Sequence, residues 1–125
     1  MNKNLTEHQI QTQLIHWLQA HRFYVQRLNA GQYALGEGKS RRFVQGVATG
    51  TPDLLAFRTI HEKILITDGG HSIDRDRLQL LFIEVKRPGK KLTVIQSAKM
   101  DELEEYGARC FVATSIEDVE REIAL

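Results

Sequence analysis

The sequence predicts a single α/β domain with the element order α-β-β-β-α-β. Two capping-box patterns, Thr6-Glu7-His8-Gln9 and Thr93-Val94-Ile95-Gln96, each open a stretch of helical character. Between them lie three apolar segments of strand character, Phe23–Leu28, Leu54–Arg58 and Leu78–Val85. A fourth, Arg109–Thr114, follows the second helix. With 125 residues the chain is long enough for one core and too short for two ordinary domains.

The first helix is expected over Glu7–Ala20, where Ile10, Leu14, Trp17 and Leu18 recur at helical spacing. Glu7 is in its first turn, where a negative charge also suits the helix dipole. From Asn29 to Thr49 the chain is rich in glycine and basic residues. That composition predicts a loop or a weak hairpin, with Arg42-Phe43-Val44 its most ordered part. Gly50-Thr51-Pro52 is a turn, and Asp53 opens the second strand. The stretch 59–78 reads as a hairpin excursion, with a short strand at Lys63–Thr67, a turn at Asp68-Gly69-Gly70 and a polar segment from His71 to Arg77. His61, Asp68, His71, Asp74 and Asp76 are metal-capable types, but their spacing matches no site, which favours a loop. The second helix is expected over Val94–Tyr106 with Gly107 as its C′ residue, and Ser115 caps a short last helix ending near Ile123.

Composition bounds the function classes. The hydrophobic share of 42% is that of an ordinary globular protein, and no apolar run approaches membrane-spanning length. The single cysteine, Cys110, sits in an apolar run and reads as a buried strand residue. It excludes a disulfide within the chain and fits a reducing cytoplasmic setting. The glycines do not form a phosphate-binding loop, so no nucleotide cofactor is expected. Net charge is only +1, yet the charges are segregated. Lys39, Arg41 and Arg42 form one basic cluster, and Lys86, Arg87, Lys90, Lys91 and Lys99 form an acid-free run. Acids dominate from Met100 onward. Such a dipolar chain can offer a basic face to a polyanion, and Lys39, Arg41, Arg42, Arg87, Lys90 and Lys91 are the candidate nucleic-acid contacts.

The chemistry concentrates at Phe82–Pro88. A strand has a period of two, so Glu84 and Lys86 share one side and Val85 takes the other. A carboxylate and an ammonium in an apolar strand are costly unless they are used or paired. Asp53, at the head of a neighbouring strand, supplies a second carboxylate. Two carboxylates and a backbone carbonyl, that of Val85, suffice for a hard divalent cation such as magnesium. Lys86 beside it could orient the attacking water or offset charge on a phosphate. The implied chemistry is in-line phosphodiester hydrolysis with a 3′-oxygen leaving group. An ion-pair network without catalysis is the plain structural alternative.

On these residues the chain resembles a known family. Pro52-Asp53 followed by Glu84-Val85-Lys86 matches the PD-(D/E)xK nuclease superfamily. The continuation Ile83-Glu84-Val85-Lys86-Arg87-Pro88-Gly89, then Leu92-Thr93, Gln96, Leu103 and Gly107, resembles the VRR-NUC family, the virus-type replication and repair nucleases. Gly50-x-Pro52-Asp53 and the Glu7 helix agree, so the likeness runs from Glu7 to about Val112. It implies a restriction-endonuclease-like core, a central mixed sheet flanked by helices. It also implies Mg2+- or Mn2+-dependent cleavage of DNA. Asp53 and Glu84 would be metal ligands, Lys86 the catalytic lysine, Gln96 a helix residue near the site and Glu7 a further possible ligand. Stand-alone members resemble dimeric nucleases of branched DNA such as Holliday-junction resolvases. The expectation is thus a homodimeric, structure-selective endonuclease. The alternatives are a flap, end-processing or restriction-like nuclease using the same site, or a nucleic-acid-binding protein that keeps the fold without catalysis.

Overall fold

The structure is a computed structural model and describes residues 4–28, 32–66 and 70–124. Its first element, α1 (Glu7–Ala20), begins at a complete capping box. Thr6 Oγ1 accepts the Gln9 N–H at 3.1 Å while Gln9 Oε1 accepts the Thr6 N–H at 2.9 Å. Its buried residues Ile10, Leu14 and Leu18 repeat every fourth position, which puts them on one face. His21 closes the helix, stacked on Trp17.

The strands that follow are β1 (Tyr24–Arg27), β2 (Gln32–Leu35), β3 (Arg42–Gln45), β4 (Leu54–Ile66) and β5 (His71–Val85). After them come α2 (Val94–Glu105), β6 (Arg109–Ala113) and α3 (Ile116–Ile123). The main sheet has the order β1-β4-β5-β6. Neighbours are antiparallel except β5 and β6, which are parallel and joined through α2, the helical crossover that a parallel pair needs. This is the mixed sheet flanked by helices that the sequence predicts. Leu54, Ala56, Leu81, Ile83, Val85, Phe111 and Ala113 cover one sheet face and pack with Ile10, Leu14 and Leu18 of α1 and Val119 of α3. α2 gives that cluster no residue and lies against β6 instead.

Of the loop and the weak hairpin expected for the glycine- and base-rich stretch, the structure has the hairpin. β2 and β3 pair as a separate antiparallel hairpin around a short 3-10 turn at Gly38–Ser40, while Asn29 and Gly31 lie outside the described residues. The 59–78 excursion is a hairpin, as expected, but its first arm is not a separate short strand and its polar segment is not a loop, two details that need correction. β4 runs unbroken through Lys63 to Ile66, and β5 starts at His71, so the polar segment is strand. The two strands pair from Leu54↔Ile83 out to Ile66↔His71. The proposed turn residues Asp68 and Gly69 lie outside the described residues. The polar residues are used in cross-strand pairs: His61 with Asp76, Lys63 with Asp74, and Glu62 with both Arg75 and Arg77. With no core cluster against it, the outer part of β5 is exposed at every position from His71 to Leu78, so it lacks the alternation that marks a half-buried strand. The ribbon is anchored where it leaves the body. The Arg58 guanidinium donates to Gln79 Oε1 at 2.8 Å and to the His21 carbonyl at 3.1 Å, and lies over the Phe23 ring.

Candidate active site

The β4–β5 register assembles the site. Leu54 is opposite Ile83, and one step further along this antiparallel ladder Asp53 meets Glu84. The ribbon that separates the two residues in sequence closes on itself, so its length does not disturb their meeting. Glu84 points away from the cluster that contains Ile83 and Val85, yet it is only 3% exposed. The strand end is therefore covered on both faces.

Asp53 is held by the backbone. Its carbonyl accepts the Leu28 N–H at 2.8 Å, and its Oδ2 accepts the Val85 N–H at 2.8 Å. The N–H and C=O of a strand residue point to the same side, so the Val85 carbonyl also faces the Asp53 edge. Lys86, half-buried, is tied through its N–H to the Ala113 carbonyl at 3.1 Å. The Glu84 carboxyl is pushed up to about 9, first by burial, then by its hydrogen bond to Asp53 and the Asp53 charge. Lys86 pulls the other way, and Glu7 adds repulsion. These four side chains therefore share one electrostatic environment. Glu7 enters it from the start of α1, a different element from the strands.

A carboxyl pair that burial and mutual repulsion leave holding a proton at neutral pH is suited to a hard divalent cation. Every donor here is oxygen: the free lone pairs of Asp53 and Glu84, and the Val85 carbonyl. Among the described residues no three His, Cys, Asp or Glu side chains converge at metal-holding distance. The set that converges is the Asp53–Glu84 pair, with Glu7 acting on it as a nearby charge.

Gln96 is engaged in the second capping box. Its Oε1 accepts the Thr93 N–H at 3.0 Å, and its N–H donates to Thr93 Oγ1 at 3.1 Å. Arg87, Lys90 and Lys91 are exposed in the short connection from Lys86 to α2, which the bond from Lys90 N–H to the Arg87 carbonyl tightens. These three exposed cations follow Lys86 directly in the chain. Lys99, in the same run of sequence, is paired with Glu102. Lys39, Arg41 and Arg42 are exposed on the β2–β3 hairpin, a separate sheet. Cys110 is half-buried, and its thiol is pushed up to about 11 by burial, then by Glu104 and Asp101, which leaves it unreactive.

Two contributors escape a sequence reading. One is the Val85 N–H that locks Asp53. The other is the second task of Gly50, expected only as a turn residue: its φ of +90° is in the left-handed region and its Cα lies against the start of α2. A Cβ there would fall 2.6 Å from Ile95 Cγ2 and 2.9 Å from the Ile95 carbonyl oxygen. Gly50 thus seats the helix N-terminus on the turn that leads through buried Pro52 to Asp53. Gly50→Ala is expected to lose at least about 2 kcal/mol, from left-handed strain plus the clash. Gly107→Ala, also at positive φ but facing open space, should lose only about 1 kcal/mol. Denaturant unfolding of both variants checks the difference. Arg27, half-buried at the end of β1, carries a buried Nε without a hydrogen-bond partner among the described residues.

Comparison with curated proteins and with solved structures returns no match. Comparison with family models matches the VRR-NUC domain over residues 5–117 of the 125, nearly the whole chain. Asp53, Glu84 and Lys86 stand together at one end of the two central strands within that span, and the chain belongs to the VRR-NUC domain family, nucleases of the PD-(D/E)xK type that act on DNA and in general work with divalent metals.

Proposed function

We propose that this protein is a metal-dependent, structure-selective DNA endonuclease that acts on branched DNA, four-way junctions in particular, as a homodimer with Mg2+ or Mn2+. The observation that carries this is the cross-strand Asp53–Glu84 pair with Lys86 two residues on, at the covered end of the sheet. Asp53, Glu84 and the Val85 carbonyl would hold the cation, which when bound supplies positive charge and a more acidic water. The residues do the rest. Asp53, locked by the Val85 N–H, keeps its second oxygen aimed at the site. Lys86 orients the attacking water or balances charge growing on the phosphate. Arg87, Lys90 and Lys91 hold the flanking backbone, a contact that positions DNA without reading sequence. A four-way junction needs two symmetric cuts, and a twofold dimer with one site per subunit supplies them.

The test is a substrate panel of four-way junction, flap, splayed arm and linear duplex, each with Mg2+, Mn2+ or a chelator. Paired symmetric nicks in the four-way junction, lost with chelator, are the expected result. A preference for flaps or free ends would overturn the junction reading, and cutting that survives the chelator would overturn metal dependence.

A further inference from the structure

Arg27 is the last residue of β1 and stands opposite Leu54, with Val25 opposite Ala56 two residues back. Residues directly opposite one another in an antiparallel pair share a face. Val25 and Arg27 therefore lie on the side of the sheet that carries the core, and Val25 packs against the core cluster there. Arg27 comes next, at the strand end. Leu28, the residue after it, donates its N–H to the Asp53 carbonyl. Arg27 is thus one residue from the backbone bond that holds Asp53. The helix α1 covers the same side and ends at the same level. Its last turn is met by Arg58, which reaches the His21 carbonyl, while its first turn carries Glu7, whose charge acts on Glu84. Glu7 lies one turn before the buried Ile10 and so faces the sheet.

The carboxyls of Glu7, Asp53 and Glu84 gather at this end, and they repel a phosphate. At this end of β1, β4 and β5 the positive side chains are Lys86, past β5, and Arg27. The Arg27 guanidinium differs from the other arginines. Arg75, Arg77, Arg109 and Arg121 each pair with an acid, and Arg58 has two acceptors. Arg27 has a buried Nε with no hydrogen-bond partner among the described residues. A buried N–H without an acceptor costs the folded chain stability. Here its cost is met by an acceptor from outside the chain. The planar fork of a guanidinium fits two oxygens of one phosphate, and DNA is what this family of nucleases acts on.

We propose that Arg27 is a phosphate clamp of the nuclease site, holding a phosphodiester of the cleaved strand on the β1 side of Asp53. In the order β1-β4-β5, Asp53 heads the middle strand, so Arg27 and Lys86 bracket it from opposite sides. Arg27 positions the strand and takes no part in bond breaking. The inference rests on the nuclease reading of the Asp53–Glu84 site and is independent of the junction and of the dimer.

The experiment is DNA binding by anisotropy in Ca2+, with the parent, Arg27→Met and Arg27→Lys. The probe is whichever DNA of the substrate panel the parent binds most tightly, carrying one neutral methylphosphonate linkage at a time. In the parent, neutralising the clamped phosphate should weaken binding about tenfold. Arg27→Met keeps the apolar stem and removes the guanidinium. It should bind the unmodified DNA about tenfold more weakly, lose its response to that one linkage, and lower the salt slope by about one. Its unfolding midpoint should equal or exceed the parent's, because the unpartnered N–H is gone. Arg27→Lys keeps the charge without the fork and should fall between the two. A methionine or lysine variant that keeps the parent's linkage profile would overturn the assignment. So would a methionine variant that unfolds more readily than the parent, which makes the guanidinium a structural group, or a parent that binds no DNA of the panel. Failure of the nuclease reading would show separately, as a parent with the expected linkage profile that does not cut with Mg2+ or Mn2+.

Discussion

Asp53→Asn is expected to lower metal-dependent DNA cleavage by at least about a thousandfold while leaving the fold intact. Asparagine is the informative substitution because Asp53 does two things. Its Oδ2 accepts the Val85 N–H, a bond that the asparagine amide oxygen can keep. Its charge is what a cation would meet. Asp53→Ala removes both, and leaving a buried N–H without a partner adds about 1–3 kcal/mol of destabilisation. The two variants should therefore share the activity loss and differ in unfolding midpoint. Lys86→Ala should lose a similar factor with little change in DNA binding, since the exposed Arg87, Lys90 and Lys91, the proposed backbone contacts, are kept. Single-turnover cleavage, with binding measured separately by anisotropy in the presence of Ca2+, checks both. An Asp53→Asn protein that cuts like the parent would end the proposed mechanism.

Glu84→Gln should stabilise the metal-free protein above neutral pH and abolish its pH response there. Folding raises the Glu84 carboxyl from 4.5 to about 9, chiefly by burial and then by Asp53. Between those values the folded chain holds a proton that the unfolded chain releases. Stability contributed by this group is therefore complete below the unfolded value and falls as pH rises, by at most about 1.4 kcal/mol per pH unit. By pH 8 the loss is on the order of a few kcal/mol. Glutamine carries no proton to lose, so its unfolding midpoint should stay level through this range and exceed the parent's at the upper end. A divalent cation opposes the same loss in the parent. It displaces the proton, so cation affinity should rise with pH up to about 9, and calorimetry in two buffers of different ionisation enthalpy should detect the released proton. A parent whose stability is flat from pH 5 to pH 9 would show that Glu84 is an ordinary surface carboxylate.

Much of this was legible in the residues, and the reasons are local. Thr6 and Thr93 cap their helices with Gln9 and Gln96, as the four-residue patterns predict, because a capping box is complete within one turn. Glu84 and Lys86 fall on one side of their strand because a period of two needs no partner to be read. The ribbon was only half legible. Its polar stretch reads as loop when a strand is expected to show one buried face, and here the polar side chains pair across the ribbon with no core against them. Of the two roles expected of Gln96, the cap is visible in the sequence, and it is the one the structure shows.

The sequence by itself determined the helices, the strand that bears Glu84 and Lys86, the family, and the residue types able to hold a cation. All of these depend on near neighbours or on a spaced motif. The tertiary structure alone decided that Asp53 meets Glu84 across the ladder, that the Val85 N–H locks it, that Gly50 seats α2 beside it, and that burial keeps a proton on Glu84. Those facts depend on strand register and on what lies overhead, and register is a property of two strands together, which neither strand's own sequence carries.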